Sequence, residues 1–266
     1  MSKIERLVAY TLFLMPVLWA PASSFAQSPF DGTWRVNMDQ SKISPKPMVF
    51  SVNKGMYDCF YCSPEIHVKA DGQDQSVADQ FYDTINVREV DPKSIAVTTK
   101  KSGKTLTEQT LAVSDDGNTL TWKQIIHPEN SDQTVSSEST YTRIGKAPAG
   151  ANGTSGSWRI DKVRESENNL LVSYKRSGDE LSMSTPTGES YTAKLDGKDY
   201  PVKGSYFYNS VSLRRVDERT IEVTEKRDAK VVYVRRITVS ADGKKMTEVV
   251  TSKPTGRIST YAAEKQ

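Results

Sequence analysis

Two cysteines three positions apart are the residues in this chain whose spacing most suggests chemistry. They are Cys59 and Cys62, and the chain has no others. Such a pair is redox-active when its first thiol begins a helix, because the helix dipole lowers the thiol pKa. It could instead bind zinc with His67, although a fourth ligand is not evident. An internal repeat aligns the pair with a turn at 184–187 rather than a helix, so we favour a structural disulfide and predict no metal site.

Nucleophilic and phosphate chemistry have little support in the sequence. The chain has only two histidines, His67 and His127, and the second precedes Pro128 in a predicted turn. There is no Gly-x-Ser-x-Gly nucleophile motif and no glycine-rich phosphate loop. We therefore predict no catalytic residues, no cofactor and no enzymatic activity.

Candidate ligand-binding residues come from the aromatic side chains. Trp34 and Trp158 stand near the start of two similar segments. A tryptophan at such a position can form the floor of a ligand cavity, but more often it plugs one end of a β-barrel.

The segment 231–239 offers a polar anchor for a ligand. If its alternate residues point inward, Tyr233 and Arg235 would place a phenol and a guanidinium in an apolar cavity, where they suit a carboxylate. The corresponding residues of the first copy, Thr107 and Gln109, are uncharged. We favour the alternative, in which a β-bulge turns Arg235 to water.

These residues belong to a chain that contains the same segment twice. Residues 213–247 align without gaps on residues 87–121, and roughly a third of the aligned positions carry the same residue, as expected of a tandem repeat. Within each copy apolar and polar residues alternate, as in Thr220-Ile221-Glu222-Val223-Thr224, and Asp-Gly and Ser-Gly pairs mark hairpin turns. The pattern predicts eight or nine short antiparallel strands per copy, closed into a barrel because open edges would aggregate.

The composition between the copies predicts where the domains divide. Residues 146–155 are rich in Gly, Ala and Pro, as linkers are. We therefore predict a first barrel-like repeat over 27–145, a linker over 146–155 and a second repeat over 156–266. Each repeat has the size of one domain and is expected to fold independently.

Gly-x-Trp at the start of each copy, followed by a meander and a final strand with Tyr141 or Tyr261, resembles the calycin superfamily of lipocalins and fatty-acid-binding proteins. The motifs are Gly32-Thr33-Trp34 and Gly156-Ser157-Trp158. The chain differs in lacking a helical lid after the first strand and in carrying Ser259 where a carboxylate-binding arginine would stand. It also resembles uncharacterised secreted bacterial tandem-repeat proteins. The resemblance implies small all-β barrels that hold an apolar ligand.

The N-terminus and the charge balance indicate the compartment and limit the partners. Lys3 and Arg6 precede an apolar run over 7–20, and Ser-Phe-Ala ends at Ala26. This is the pattern of a cleaved signal peptide over 1–26, too short for stable membrane insertion, and it predicts a periplasmic or secreted protein. A net charge of +3 with 36 basic and 33 acidic residues does not suggest a nucleic-acid partner.

Together these features predict an exported, non-catalytic binding module for a small apolar or amphipathic molecule, such as an anionic lipid. The alternative is an envelope structural or interaction protein with filled barrels and no ligand. A cavity of about 300 Å³ or more would favour the first.

Overall fold

The protein is built almost entirely of β-strands. The structure is a computed structural model that describes residues 28–129 and 131–266, so the predicted signal peptide and its cleavage site lie outside the described residues. Its one helical element is a 3₁₀ turn at Glu167–Asn169, within the described part of the chain. No helix among those residues has the length and apolar character needed to cross a membrane.

Twenty strands follow one another along the chain. The first ten are β1 (Gly32–Lys42), β2 (Met48–Asn53), β3 (Met56–Cys59), β4 (Ile66–Lys69), β5 (Asp71–Ser76), β6 (Thr84–Asp91), β7 (Ser94–Lys101), β8 (Lys104–Val113), β9 (Thr119–Ile126) and β10 (Val135–Gly145). The second ten are β11 (Gly156–Glu165), β12 (Leu171–Ser177), β13 (Glu180–Ser184), β14 (Ser190–Lys194), β15 (Asp196–Pro201), β16 (Ser210–Arg215), β17 (Thr220–Arg227), β18 (Lys230–Val239), β19 (Lys245–Ser252) and β20 (Ile258–Lys265).

The strands form two antiparallel sheets of ten, each nearly closed into a barrel. One has the order β4-β3-β2-β11-β10-β9-β8-β7-β6-β5, and the other has the order β14-β13-β12-β1-β20-β19-β18-β17-β16-β15. The edge strands of each sheet are consecutive in the chain, separated only by Ala70 or Leu195, so the two edges necessarily meet. The predicted fold class, all-β with two antiparallel barrel-like sheets, is confirmed.

The two sheets exchange their first strands. β1 lies between β12 and β20, and β11 lies between β2 and β10. We call β2 to β11 the first barrel, and β1 with β12 to β20 the second barrel. The chain crosses between them twice, through residues 43–47 and 166–170. The barrels therefore differ from the two consecutive segments, 27–145 and 156–266, that the repeat predicts.

Residues 146–155 are not a linker between barrels. They connect β10 to β11 inside the first barrel, and the side chains of Thr154 and Ser155 are fully buried. The Ser155 hydroxyl accepts a hydrogen bond of 2.7 Å from the Val52 backbone amide. Of the glycines that suggested a linker, Gly153 is closely packed, since a Cβ there would lie 3.1 Å from the Pro92 carbonyl oxygen.

Alternation along the strands builds a separate apolar core in each barrel. In β17 the side chains of Ile221 and Val223 are 1% exposed, and in β7 Ile95 and Val97 take the same places. The period of two continues to Glu225 in β17 and to Thr99 in β7, which are both buried. The same inward position is thus acidic in one barrel and neutral in the other.

Candidate functional site

The two Gly-x-Trp tryptophans close one end of each barrel. Trp158 is fully buried, and its indole donates a 2.9 Å hydrogen bond to the Thr154 carbonyl. The Arg143 guanidinium lies 4.0 Å above the ring and donates to the carbonyls of Gly117, Gly153 and Ser155. Trp158 therefore acts as a plug, and it lines neither of the cavities described below.

The glycine of the motif makes this arrangement possible. Gly156 has a φ of +133°, which L side chains rarely adopt, and a Cβ there would lie 2.6 Å from Nη1 of Arg143. In the second barrel, Trp34 is fully buried and donates 2.8 Å to the Phe30 carbonyl, while the Lys265 ammonium lies 5.3 Å from its ring. The sequence allowed both tryptophans to be either the floor of a ligand cavity or a barrel plug. In the structure both are plugs.

A cavity of about 470 Å³ lies between the open ends of the two barrels. Both barrels contribute its aromatic wall, which consists of Tyr57, Tyr61, Phe81, Tyr82, Trp122, Phe207, Tyr233 and Tyr261. The rings of Phe81 and Phe207, whose centroids are 4.8 Å apart, join the barrels at its edge. Aromatic walls of this kind suit a flat or apolar ligand.

The polar groups of this inter-barrel cavity are neutral or positive. Arg227 and Arg257 line it, together with Gln109 and Gln124, whereas no aspartate or glutamate among the described residues does. Arg257 donates to the carbonyls of Lys46 and Pro47, the latter at 2.6 Å. Burial lowers the pKa of Arg257 from its ordinary value, an effect opposed by the nearby tyrosines. A guanidinium remains charged in such a place, so the cavity favours an anion.

Three hydrogen-bond donors in this wall have unusual environments. Burial raises the pKa of Tyr61 well above its ordinary value and that of Tyr82 to about 12, so both phenols stay protonated. The indole Nε1 of Trp122 is buried and has no hydrogen-bond partner among the described residues. A ligand acceptor next to Trp122 would satisfy it.

Tyr233 and Arg235 lie on one inward face but line different cavities. Tyr233 borders the inter-barrel cavity, whereas Arg235 borders a second cavity of about 230 Å³ inside the second barrel. Arg235 Nε donates 2.6 Å to Glu225 and its Nη1 donates 2.7 Å to Glu248. Although burial opposes the charge, these two carboxylates raise the pKa of Arg235 well above its ordinary value.

Our preferred expectation that Arg235 faces water is wrong. A bulge is present, but it lies before Arg235: Tyr233 pairs with Glu225 and Val231 with Lys226, which leaves Val232 as the extra residue. The bulge turns Val231 outward, where it is 37% exposed, and keeps Arg235 inside. The guanidinium is already paired with two carboxylates of the chain, so it offers little to a ligand carboxylate.

The cysteines form the predicted disulfide, with their Cα atoms 5.5 Å apart. Cys59 ends β3 and Cys62 lies in the turn to β4, where it borders the inter-barrel cavity. Both sulfurs are therefore unavailable to zinc. His67 is 54% exposed and contacts Asp58 at 2.9 Å, and no cluster of metal-ligating side chains occurs among residues 28–129 and 131–266.

Sequence reasoning missed Glu225, Glu248, Arg257 and Trp122. The alternation Ile221, Val223, Glu225 did carry a signal, since a glutamate that continues an apolar face is predicted to be buried. Arg257 and Trp122 carried none, because they come together only where two barrels meet.

Comparisons of the chain with protein-family models, with curated protein sequences and with solved structures find no match. The assignment that the structure supports is therefore architectural: two nearly closed antiparallel β-barrels in tandem, an arrangement that fits a calycin-like protein.

Proposed function

We propose that the protein is a non-catalytic binding module that holds a small amphipathic anion in the cavity between its barrels. The observation that carries the proposal is the cavity wall itself: about 470 Å³ of space lined by aromatic side chains and two arginines, with no carboxylate from the described part of the chain. Small-molecule sites commonly enclose ~300–1,000 Å³ behind apolar walls with few polar groups. The apolar part of the ligand would lie on the tyrosines and its anionic group near Arg227 and Arg257.

We further propose that the protein acts after export, as expected from its resemblance to uncharacterised secreted bacterial tandem-repeat proteins. The disulfide between Cys59 and Cys62 supports this compartment, because disulfides persist in oxidising surroundings. The signal-peptide pattern over 1–26 points the same way.

Two dyes with the same aromatic rings test the proposal. 1-Anilinonaphthalene-8-sulfonate is an anion, and N-phenyl-1-naphthylamine is its neutral analogue. Trp34 and Trp158 are buried plugs, so Trp122 is the tryptophan of the described residues that a dye in the cavity should quench. We expect both dyes to bind and the anion to bind about tenfold tighter, a difference worth ~1.4 kcal/mol.

Matched variants identify the site. Arg227→Met should weaken the anion by about tenfold and leave the neutral dye unchanged, since a charge-assisted hydrogen bond contributes ~1.5–3 kcal/mol. Arg214→Met, on an exposed arginine paired with Glu222, is the control. Val250→Phe should exclude both dyes by filling the cavity. If neither dye quenches Trp122, or if Arg214→Met has the same effect, the cavity is not the site and the alternative of an interaction protein without a ligand takes its place.

A further inference from the structure

The second barrel contains a cavity with an unusual charge balance. Its volume is about 230 Å³, and it is lined by one arginine, three glutamates and three tyrosines: Arg235, Glu189, Glu225, Glu248, Tyr174, Tyr191 and Tyr208. The Tyr208 hydroxyl donates to Glu189, while Arg235 donates to Glu225 and Glu248. With every carboxylate ionised, three negative charges would face a single positive one.

Glu225 is a buried carboxylate with an incomplete set of hydrogen bonds. Its side chain is only 2% exposed. One oxygen accepts from Arg235, whereas Oε2 has no hydrogen-bond partner among the described residues. A buried carboxylate oxygen without a donor is costly, and a group that supplies the donor would be held in place.

Burial raises the pKa of Glu225 to about 7, against the opposing charge of Arg235, and Glu189 and Glu248 raise it further. A proton therefore neutralises Glu225 below neutral pH. A ligand that carries both positive charge and N–H donors could replace that proton. The remaining wall favours an organic body, because it includes the Tyr174 and Tyr191 rings, Met183 and Ile237.

We propose that this cavity is a second binding site, specific for a small organic cation whose primary ammonium group pairs with Glu225 and whose apolar body packs on the tyrosine rings. The ammonium supplies three N–H donors, one of which satisfies Oε2 of Glu225. The site is independent of the inter-barrel cavity and has the opposite charge preference.

The first barrel contains a built-in comparison. By the repeat alignment, Thr99, Gln109 and Trp122 stand where the second barrel has Glu225, Arg235 and Glu248. There Thr99 and Thr107 hydroxyls bond each other at 2.7 Å, and Gln109 donates to Thr107 at 2.8 Å. Thr99, Thr107 and Gln109 thus bond one another and none of them is acidic, so the proposed cation site belongs to the second barrel alone.

Three probes of similar shape test the proposal by isothermal titration calorimetry of the whole protein: 2-phenylethylammonium, 2-phenylethanol and 3-phenylpropanoate. At about pH 8, where Glu225 is ionised and the amine is still protonated, we expect the ammonium to bind at least tenfold tighter than the alcohol. The carboxylate should not bind at this site. Equal affinity for the ammonium and the alcohol, or no binding of the ammonium, overturns the proposal.

The pH dependence supplies a readout that needs no mutation. Below about pH 7 the ammonium must displace the proton of Glu225, so its affinity should rise as the pH increases through 7, and binding near that pH should release protons. Buffers with different ionisation enthalpies measure this release. Affinity without any change between about pH 5.5 and about pH 8 contradicts the proposal.

Two glutamates of the same strand give a matched pair of variants. Glu225→Gln should weaken the ammonium tenfold or more and abolish proton release, whereas Glu222→Gln, on the outward face and paired with Arg214, should change neither. Glu225→Gln should also leave the affinity for the anionic naphthalene dye unchanged. A negative result with the ammonium probe therefore rejects the cation site without affecting the inter-barrel site. A negative result with the naphthalene dyes rejects the inter-barrel site without affecting the cation site. An unchanged ammonium affinity in Glu225→Gln rejects the cation site.

Discussion

At the level of single residues, the base of each barrel depends on a cation above a buried tryptophan. Arg143 covers Trp158 and also donates to three backbone carbonyls, which fastens the 146–155 connection to the barrel. Lys265 occupies the same place over Trp34, but its ammonium makes no hydrogen bond to the described residues. Each residue pairs with the plug tryptophan across neighbouring strands, Arg143 with Trp158 and Lys265 with Trp34, but the two differ in the hydrogen bonds that they donate.

The difference predicts unequal costs of removing the charge. Arg143→Met should destabilise the protein by about 2–3 kcal/mol, because carbonyls at the barrel base lose their donors. Lys265→Met should cost about 1 kcal/mol or less, as only a contact between a cation and a ring is lost. Urea denaturation of both variants measures this. Equal costs would show that the carbonyl bonds of Arg143 contribute little.

A difference at one matching position of the two repeats also explains why one barrel interior is charged and the other is neutral. Glu225 and Thr99 continue the same apolar face, and each is buried because the strand period leaves no other orientation. Thr99 finds a neutral partner in Thr107. Glu225 instead forms an ion pair with Arg235, which forms a second ion pair with Glu248.

At the level of elements, the exchange of β1 and β11 distinguishes this protein from two independent barrels. The first crossing, 43–47, contains Pro45 and Pro47, which favour an extended chain over a tight turn back to β2. Arg257 of the second barrel binds the carbonyls of Lys46 and Pro47 and so holds the crossing in place. Both features favour the exchanged arrangement.

A cross-link tests where β1 lies. The hydroxyls of Thr33 and Ser173 are 2.8 Å apart on paired strands, so Thr33→Cys with Ser173→Cys should form a disulfide in full-length protein. Without exchange, Thr33 would instead face Val49, the residue that Ser157 faces in this structure. Thr33→Cys with Val49→Cys is therefore the control and should not cross-link. Peptide mapping by mass spectrometry that finds only the second disulfide would place β1 back in its own repeat.

At the level of the whole molecule, the exchange makes the barrels depend on each other. β1 belongs to the second barrel but is followed directly by β2 of the first, and β11 of the first barrel is followed by β12 of the second. If one barrel unfolds, the crossing that leads into the other barrel therefore loses one of its two folded ends. Contacts around the inter-barrel cavity, such as Phe81 with Phe207 and Arg227 with the Asp79 carbonyl at 3.3 Å, add to this coupling. The two cores should therefore behave as one cooperative unit.

Calorimetry of two core variants measures the coupling. Leu106 in the first barrel is 1% exposed and Leu213 in the second is fully buried, so replacing either with alanine should cost about 2–5 kcal/mol. We expect one thermal transition, and its midpoint should fall in both Leu106→Ala and Leu213→Ala. Two transitions, each lowered by only one of the variants, would mean that the barrels unfold independently despite the exchanged strands.

The sequence by itself determined the local features of this protein. Alternation with a period of two, as in Ile221 and Val223, and glycine turns predicted an all-β chain. The three-residue spacing in a turn predicted the bond between Cys59 and Cys62. These predictions succeeded because strand formation, turns and a short-range disulfide depend on residues that are neighbours in the chain.

The tertiary structure alone decided which strand completes which barrel and what lies between them. β1 and β11 begin with nearly the same Gly-x-Trp motif, so either could fill the gap beside β2 or beside β12. The choice depends on the proline-containing crossing and on contacts such as that of Arg257, which exist only once both barrels have formed. The inter-barrel cavity and the carboxylates around Arg235 arise in the same way, from residues distant in sequence that strand pairing brings together.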